Sequence, residues 1–172
     1  MIKLIDLVKK AIKGDNDSFN ALIQSRRENI YKVAYSYVNN SEDTLDIMQE
    51  VIYNALVSIK NLKSPEYFNT WLTRITINCS INYLKKAKKV ISIDDKHLKD
   101  MAIPSSNTEE VMDLHEALKN LDTKYKTIVT LKYFEDLTLK DISDILKLPL
   151  STVKSHLYRG LEKLKVDLKE AK

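Results

Sequence analysis

The stretch LTLKDISDILKLPLSTVKSHLYRGL, residues 137–161, decides how the chain is read. Thr138 followed three residues later by Asp141 is a capping box. The hydroxyl takes the backbone N–H of residue 141 and the carboxylate reaches back to that of residue 138, satisfying donors that a helix start leaves orphaned. Leu139, Ile142, Ile145 and Leu146 then give a short helix one apolar face. Lys147 to Leu150 reads as a tight turn, with Pro149 helping to start a second helix. In that helix Val153, Leu157, Leu161 and Leu164 form an apolar stripe, leaving Ser155, Tyr158, Arg159 and Glu162 on the opposite side. The layout is that of a helix-turn-helix, whose second helix enters the major groove of duplex DNA by its N-terminal end. Lys154, Ser155, Tyr158 and Arg159 are then placed to read bases, and Thr152, Lys163 and Lys165 to hold phosphates. Arg159 suits a bidentate contact to guanine, worth roughly 1–3 kcal/mol of discrimination. The competing reading is a solvated polar face on a packing helix. Capping box, short first helix, Pro-containing turn and basic tail occur together, which favours DNA.

Charge placement points the same way. The net charge of +4 over 172 residues says little alone. Residues 147–172, however, hold seven Lys/Arg against three acids, whereas residues 110–146 hold five Lys against eight acids. The last helix is a basic edge on an acidic unit.

Two Gly and three Pro in the whole chain exclude turn-rich β architectures and favour helices with short polar connections. The single Cys79 cannot form an internal disulfide; within an apolar helical pattern it reads as a reduced, buried small hydrophobe. No apolar run is long enough to cross a bilayer, and MIKLIDLVKKAIKGD lacks the uninterrupted core of a signal peptide, so a cytoplasmic protein is expected.

Upstream, Gly14 ends a first helix, Asp15-Asn16-Asp17 offers caps for a second, and Asn39-Asn40-Ser41 separates that from a third. Lys63-Ser64-Pro65-Glu66 breaks the chain before a long fourth helix. Residues 90–109 lose the helical period and have the composition of a linker. The expected fold is therefore all-α: two small helical domains, 1–89 and 110–172, joined by a flexible linker, 90–109.

In the third helix the apolar stripe is expected at Leu45, Met48, Ile52, Leu56 and Ile59, widened by Ile47 and Val51. Asp46, Gln49, Glu50, Tyr53 and Asn54 form a polar strip beside it. The fourth helix, FNTWLTRITINCSINYLKKAKK, is apolar on two sides, with Phe68, Leu72, Ile75 and Cys79 on one and Ile77, Ile81 and Leu84 on the other. Between them run Arg74, Asn78, Asn82 and Lys85, with Trp71 at the border. Such a strip suits single-stranded nucleic acid, on which bases stack and amides read edges; Trp71 also reads as core.

DIMQEVIYNAL, FNTWLTRITIN and the helix-turn-helix, in that order, resemble an extracytoplasmic-function (ECF) sigma factor, a promoter-recognition subunit of bacterial RNA polymerase. The resemblance covers nearly the whole chain, residues 1–89 matching sigma region 2 and 110–172 matching region 4. It implies that Asp46, Gln49, Glu50 and Tyr53 dock on core RNA polymerase. Lys63, Tyr67, Trp71, Arg74, Asn78 and Asn82 would serve capture of the minus ten element during strand opening. Thr152, Lys154, Ser155, Tyr158, Arg159 and Lys163 would engage the minus thirty-five element of promoter DNA. The linker would thread toward the RNA exit path, and an anti-sigma factor is an implied partner. The family often has Gly where this chain has Lys147 and Ser151, and Arg where Lys154 and His156 stand. Gly160 lies inside the recognition helix at a cost of about 1 kcal/mol relative to Ala.

Two rival classes of function fit the sequence less well. A polymerase-independent repressor would dimerise on a palindromic duplex site, for which only Val166 and Leu168 offer an apolar tail. An enzyme is disfavoured: His97, His115 and His156 show no ligand spacing, Asp94-Asp95 sits in the linker, and no phosphate-binding glycine loop is present. No cofactor and no metal site are expected, and the protein reads as a non-catalytic specificity subunit.

Overall fold

The structure, a computed structural model, describes residues 2–91, 117–118 and 121–170. The regular elements among the described residues are all helical: α1 Ile2–Ile12, α2 Asn16–Val38, α3 Ser41–Ser58, α4 Phe68–Ile91, α5 Thr123–Tyr133, α6 Leu139–Leu146 and α7 Leu150–Glu170. Two short 3₁₀ turns, Ile59–Asn61 and Pro65–Tyr67, lie between α3 and α4. The expected linker, beyond the end of α4, lies outside the described residues, as do Asp94, Asp95, His97 and His115.

The punctuation read from the sequence sits at the helix ends. The Asp15 carboxylate accepts from the backbone N–H of Asp17 and from the Ser18 hydroxyl, capping α2. Asn39 ends α2 in the left-handed region at φ 51°, and the Asn40 side chain caps α3 through the N–H groups of Glu42 and Asp43. At α6 both arms of the capping box form: the Asp141 N–H donates to the Thr138 hydroxyl at 3.1 Å, and the Thr138 N–H donates to the Asp141 carboxylate at 3.1 Å. Lys147 adopts φ 53° to turn the chain into α7.

α1 to α4 pack around one core centred on Leu22, Ile47, Val51, Phe68 and Leu72. On α3 the buried stripe differs from the expected one. Thr44, Ile47, Met48, Val51 and Ala55 face inward, whereas Leu45 and Leu56 are about half exposed, 48% and 46%. The expectation followed every apolar residue at helical spacing, but one helix presents only a limited arc to its neighbours. Here α2 and α4 cover the arc centred on Ile47 and Val51.

α5 to α7 form a second core that includes Ile128, Leu131, Ile142, Val153 and Leu157. This core does not close on itself. Val33 and Tyr37 of α2 and Ile77 of α4 are buried in it, and Ile81 and Leu84 pack against it. The second apolar side of α4 is thus covered by the C-terminal helices, and the two units share a packed seam. Its polar contacts are equally specific. Thr127 donates its single hydroxyl proton to the Thr123 carbonyl at 2.8 Å, so Tyr37 is the donor in the 2.7 Å bond between the two hydroxyls. Arg26 of α2 pairs with Glu135, which follows α5.

Gly160 finds its reason in the second core. A Cβ there would stand 3.1 Å from Val129 Cγ2 and 3.3 Å from Tyr125 Cβ. The missing side chain lets α7 lie directly on α5.

Candidate functional site

Three exposed faces carry the residues singled out in the sequence. The first is the outer side of α3. Asp46 and Gln49 are exposed, Glu50 half-buried, and Tyr53 projects with 66% exposure. Around them lie the half-exposed Leu45 and Leu56 and the exposed Val57. A contiguous apolar and aromatic surface with acidic and amide groups among it is the composition of a protein-binding patch. The sequence reading identified its polar members and missed Leu45, Leu56 and Val57, which it had assigned to the core or passed over. Asn54, placed in the same strip, instead turns inward and donates to Cys79 Sγ at 3.3 Å. Burial pushes the Cys79 thiol above its usual range, so it is inert.

The second face is on α4. Arg74, Asn78 and Asn82 are exposed and recur every four residues, giving a polar row between the two buried sides. Lys63 and Tyr67, in the segment entering α4, are exposed as well. Trp71 is half-buried: it packs on the first core, its ring 5.8 Å from that of Phe68. One edge of the indole is structural, and the remainder borders the polar row. At the far end the Tyr83 hydroxyl donates to Asp43 at 2.5 Å, tying α4 to α3; this bond raises the tyrosine to about 12.

The third face is on α7. Val153, Leu157 and Leu164 are buried, while Lys154, Ser155, Tyr158, Arg159, Lys163 and Lys165 are exposed and Thr152 is half-buried. Tyr158 stands out at 69% exposure. Polar and basic side chains therefore occupy the surface that a helix-turn-helix turns to DNA.

One grouping on this side was not legible in the sequence. Tyr125, near the start of α5, is 6% exposed and lies under α7. His156 meets its ring edge-on at 5.3 Å between centroids, Lys124 Nζ stands 4.8 Å from the ring centroid, and Lys163 Nζ 5.3 Å. The positive charges of Arg159 and Lys124 nearby hold Tyr125 below its ordinary pKa. Lys163 also pairs with Asp122 at 3.4 Å, both side chains being more than half exposed. That pair is weak, and a phosphate can displace it. Tyr125 was missed because His156 and Lys163, which meet its ring, lie on another helix.

Among the described residues, no cluster of His, Cys, Asp and Glu could hold a metal ion, and no helix is long and apolar enough to cross a membrane. His156 packs edge-on against Tyr125.

Comparison with known proteins gives these faces a context. The Sigma-70 region 2 family model matches residues 22–90, and the Sigma-70, region 4 model matches residues 112–164. The RNA polymerase sigma factor SigV of Bacillus subtilis (strain 168) is 38% identical over 146 residues, covering 85% of this chain and 88% of that protein. The ECF RNA polymerase sigma-E factor of Haemophilus influenzae is 30% identical, covering 91% and 90%. The fold is also that of CnrH, solved in complex with the cytosolic domain of CnrY: the TM-score is 0.73 at 19% identity, covering 97% of both chains. Sigma factor RpoE from Bartonella quintana, solved with the anti-sigma factor NepR, gives a TM-score of 0.76 at 18% identity, covering 88% of this chain and 96% of that one. With region 2 and region 4 matched in order and a relative of this identity spanning most of both chains, the protein belongs to the ECF RNA polymerase sigma factors.

Proposed function

We propose that this sigma factor binds core RNA polymerase through the outer face of α3, at Asp46, Gln49, Glu50 and Tyr53. Residues 1–89 would act as the unit that engages polymerase and the minus ten element, 110–172 as the unit that reads the minus thirty-five element, and 90–109 as the tether. Unstacked bases of the minus ten element meet Lys63, Tyr67, Arg74, Asn78, Asn82 and the free edge of Trp71. Lys154, Ser155, Tyr158 and Arg159 read the upstream element in the major groove, and Thr152 and Lys163 hold its phosphates. The factor has no chemistry of its own and works in the cytoplasm beside the polymerase. An anti-sigma factor, the kind of partner with which the Bartonella relative was solved, would cover the Asp46–Asn54 strip or the recognition helix.

The observation that carries this reading is the pairing, in one chain of this family, of a polar row on a largely buried α4 with an exposed N-terminal half of α7. The reading also demands movement. By their names the two elements lie about 35 − 10 = 25 base pairs apart, roughly 85 Å at about 3.4 Å per pair, whereas a compact chain of this length has a radius of gyration of about 16 Å. To hold both elements at once, the seam between the two units must part.

The test is run-off transcription from fragmented genomic DNA with core polymerase, with and without the protein. Discrete transcripts that require it support the reading. Their absence, together with duplex sites protected by a dimer of the protein alone, replaces it with a repressor. On a promoter so found, Arg159→Ala should weaken use of the upstream element and leave polymerase binding unchanged; equal loss of both counts against the assignment.

A further inference from the structure

We propose that the seam between the two helical units is a latch, centred on the Arg26–Glu135 pair, that holds the unbound factor in a closed form able to engage one promoter element but not both. The proposal rests on the reading that one chain holds both elements at once.

The seam has the make-up of a contact built to open. Its apolar part consists of Val33 and Tyr37 of α2 and Ile77 of α4, flanked by Val38, Ile81 and Leu84. Beside it the contact is polar. Arg26 pairs with Glu135, and the Asn29 amide stands next to both. The Tyr37 hydroxyl donates to Thr127 at 2.7 Å, and Lys126, 3% exposed, holds its ammonium 5.5 Å from the Tyr37 ring centroid. Parting the units exposes groups that water accommodates, as at an interface between domains that move.

The charges make closure specific. The Glu135 side chain is 5% exposed, and a carboxylate so placed is stable only while a cation faces it. The pair therefore favours one arrangement of the two units over any other docking of the same apolar patch.

The functional faces are not covered. With the seam closed, Lys154, Ser155, Tyr158 and Arg159 on α7 and Arg74, Asn78 and Asn82 on α4 remain exposed, so each face is open to its own element. Only their separation is wrong. A factor whose competent form is a minor fraction binds more weakly by that fraction, and the strength of the latch thereby sets how much protein is needed to load a promoter.

The experiment uses full-length protein with core polymerase on a promoter found by run-off transcription that carries both elements. Wild type, Arg26→Glu, Glu135→Arg and the double swap are compared, with helical circular dichroism and thermal midpoint recorded for each. Two quantities are read: the radius of gyration of the free protein by small-angle scattering, and the protein concentration giving half-maximal run-off. Each single reversal should enlarge the free protein and lower that concentration by about threefold or more, and the double swap should return both toward wild type. The two reversals change net charge in opposite directions, so a general electrostatic effect on DNA binding would move them apart. Binding of the free protein to a short duplex carrying only the upstream element measures that effect. Tyr37→Phe removes only the hydroxyl across the seam and should act in the same direction by less, which covers a reversal that fails to fold. Single variants that scatter like wild type, or run-off thresholds that follow net charge as the short duplex does, overturn the proposal and leave the two-element reading standing. So does a double swap no closer to wild type than its parents. If wild-type run-off is indifferent to loss of either element, the reading and the proposal fall together.

Discussion

Arg26 and Glu135 stand 109 residues apart in the chain and form an ion pair across the seam between the two helical units. The Glu135 side chain is 5% exposed and that of Arg26 19%. Asn29 lies beside them. Nearby, the Tyr37–Thr127 bond and Ile77 complete a contact that is polar at one edge and apolar at its centre.

Removing one partner leaves a poorly solvated charge on the other. Glu135→Ala is therefore expected to destabilise the closed arrangement by about 2–3 kcal/mol, less than for a fully buried pair because Arg26 retains some water. Small-angle scattering should show a larger radius of gyration for the variant, and the helical circular dichroism should stay unchanged. A variant as compact as wild type would show that the apolar part of the seam suffices.

The capping box makes a pH-dependent contribution. The Thr138 hydroxyl and backbone N–H bond the Asp141 carboxylate and hold it below its ordinary 3.8. A depressed carboxylate stabilises the fold above the unfolded value and loses that contribution as pH falls through the folded one. Thr138→Ala should cost about 1 kcal/mol at neutral pH. In acid-range melts, the difference between wild type and variant should shrink as pH drops below 3.8.

Lys147 occupies the left-handed region at φ 53°. Glycine meets no steric penalty there, so Lys147→Gly is expected to raise stability by about 0.5–1 kcal/mol, measured as a higher denaturant midpoint at constant m. The turn itself should persist, since the Ser143 hydroxyl donates to the Leu148 carbonyl at 2.6 Å whatever side chain stands at 147.

Gly160→Ala sets two effects against each other. Alanine favours a helix interior by about 1 kcal/mol, but its Cβ would enter the 3.1 Å and 3.3 Å contacts with Val129 and Tyr125. Both neighbours are buried, so overpacking of about 1–3 kcal/mol should prevail. A lower thermal midpoint is expected, and a rise would show that α7 can lift from α5 freely.

Tyr53→Ala tests the α3 face. The side chain is 66% exposed and packs on little, so stability should change by less than about 0.5 kcal/mol. Affinity for core polymerase, followed by a labelled-protein titration, should fall by about tenfold or more if it is an interface anchor.

The sequence by itself determined the local structure and the family. Caps, turns and helix ends depend on residues a few positions apart, so Asp15, Asn40, the Thr138–Asp141 box and Pro149 were readable without any knowledge of packing. Three ordered motifs were enough to name the family, and the polar rows of α4 and α7 followed from a period of 3.6. Tertiary structure decided everything that depends on which surfaces meet. Leu45 and Leu56 have the spacing of core residues and are half exposed, because burial depends on the arc the neighbouring helices cover. The second apolar side of α4 could not reveal that its cover is the C-terminal unit. Gly160 looked like a defect until α5 lay against it, and nothing in the sequence could show that His156 and Lys163 meet the Tyr125 ring. Periodicity records which way a side chain points along one helix; what it meets there is set by contacts between segments that the chain keeps far apart.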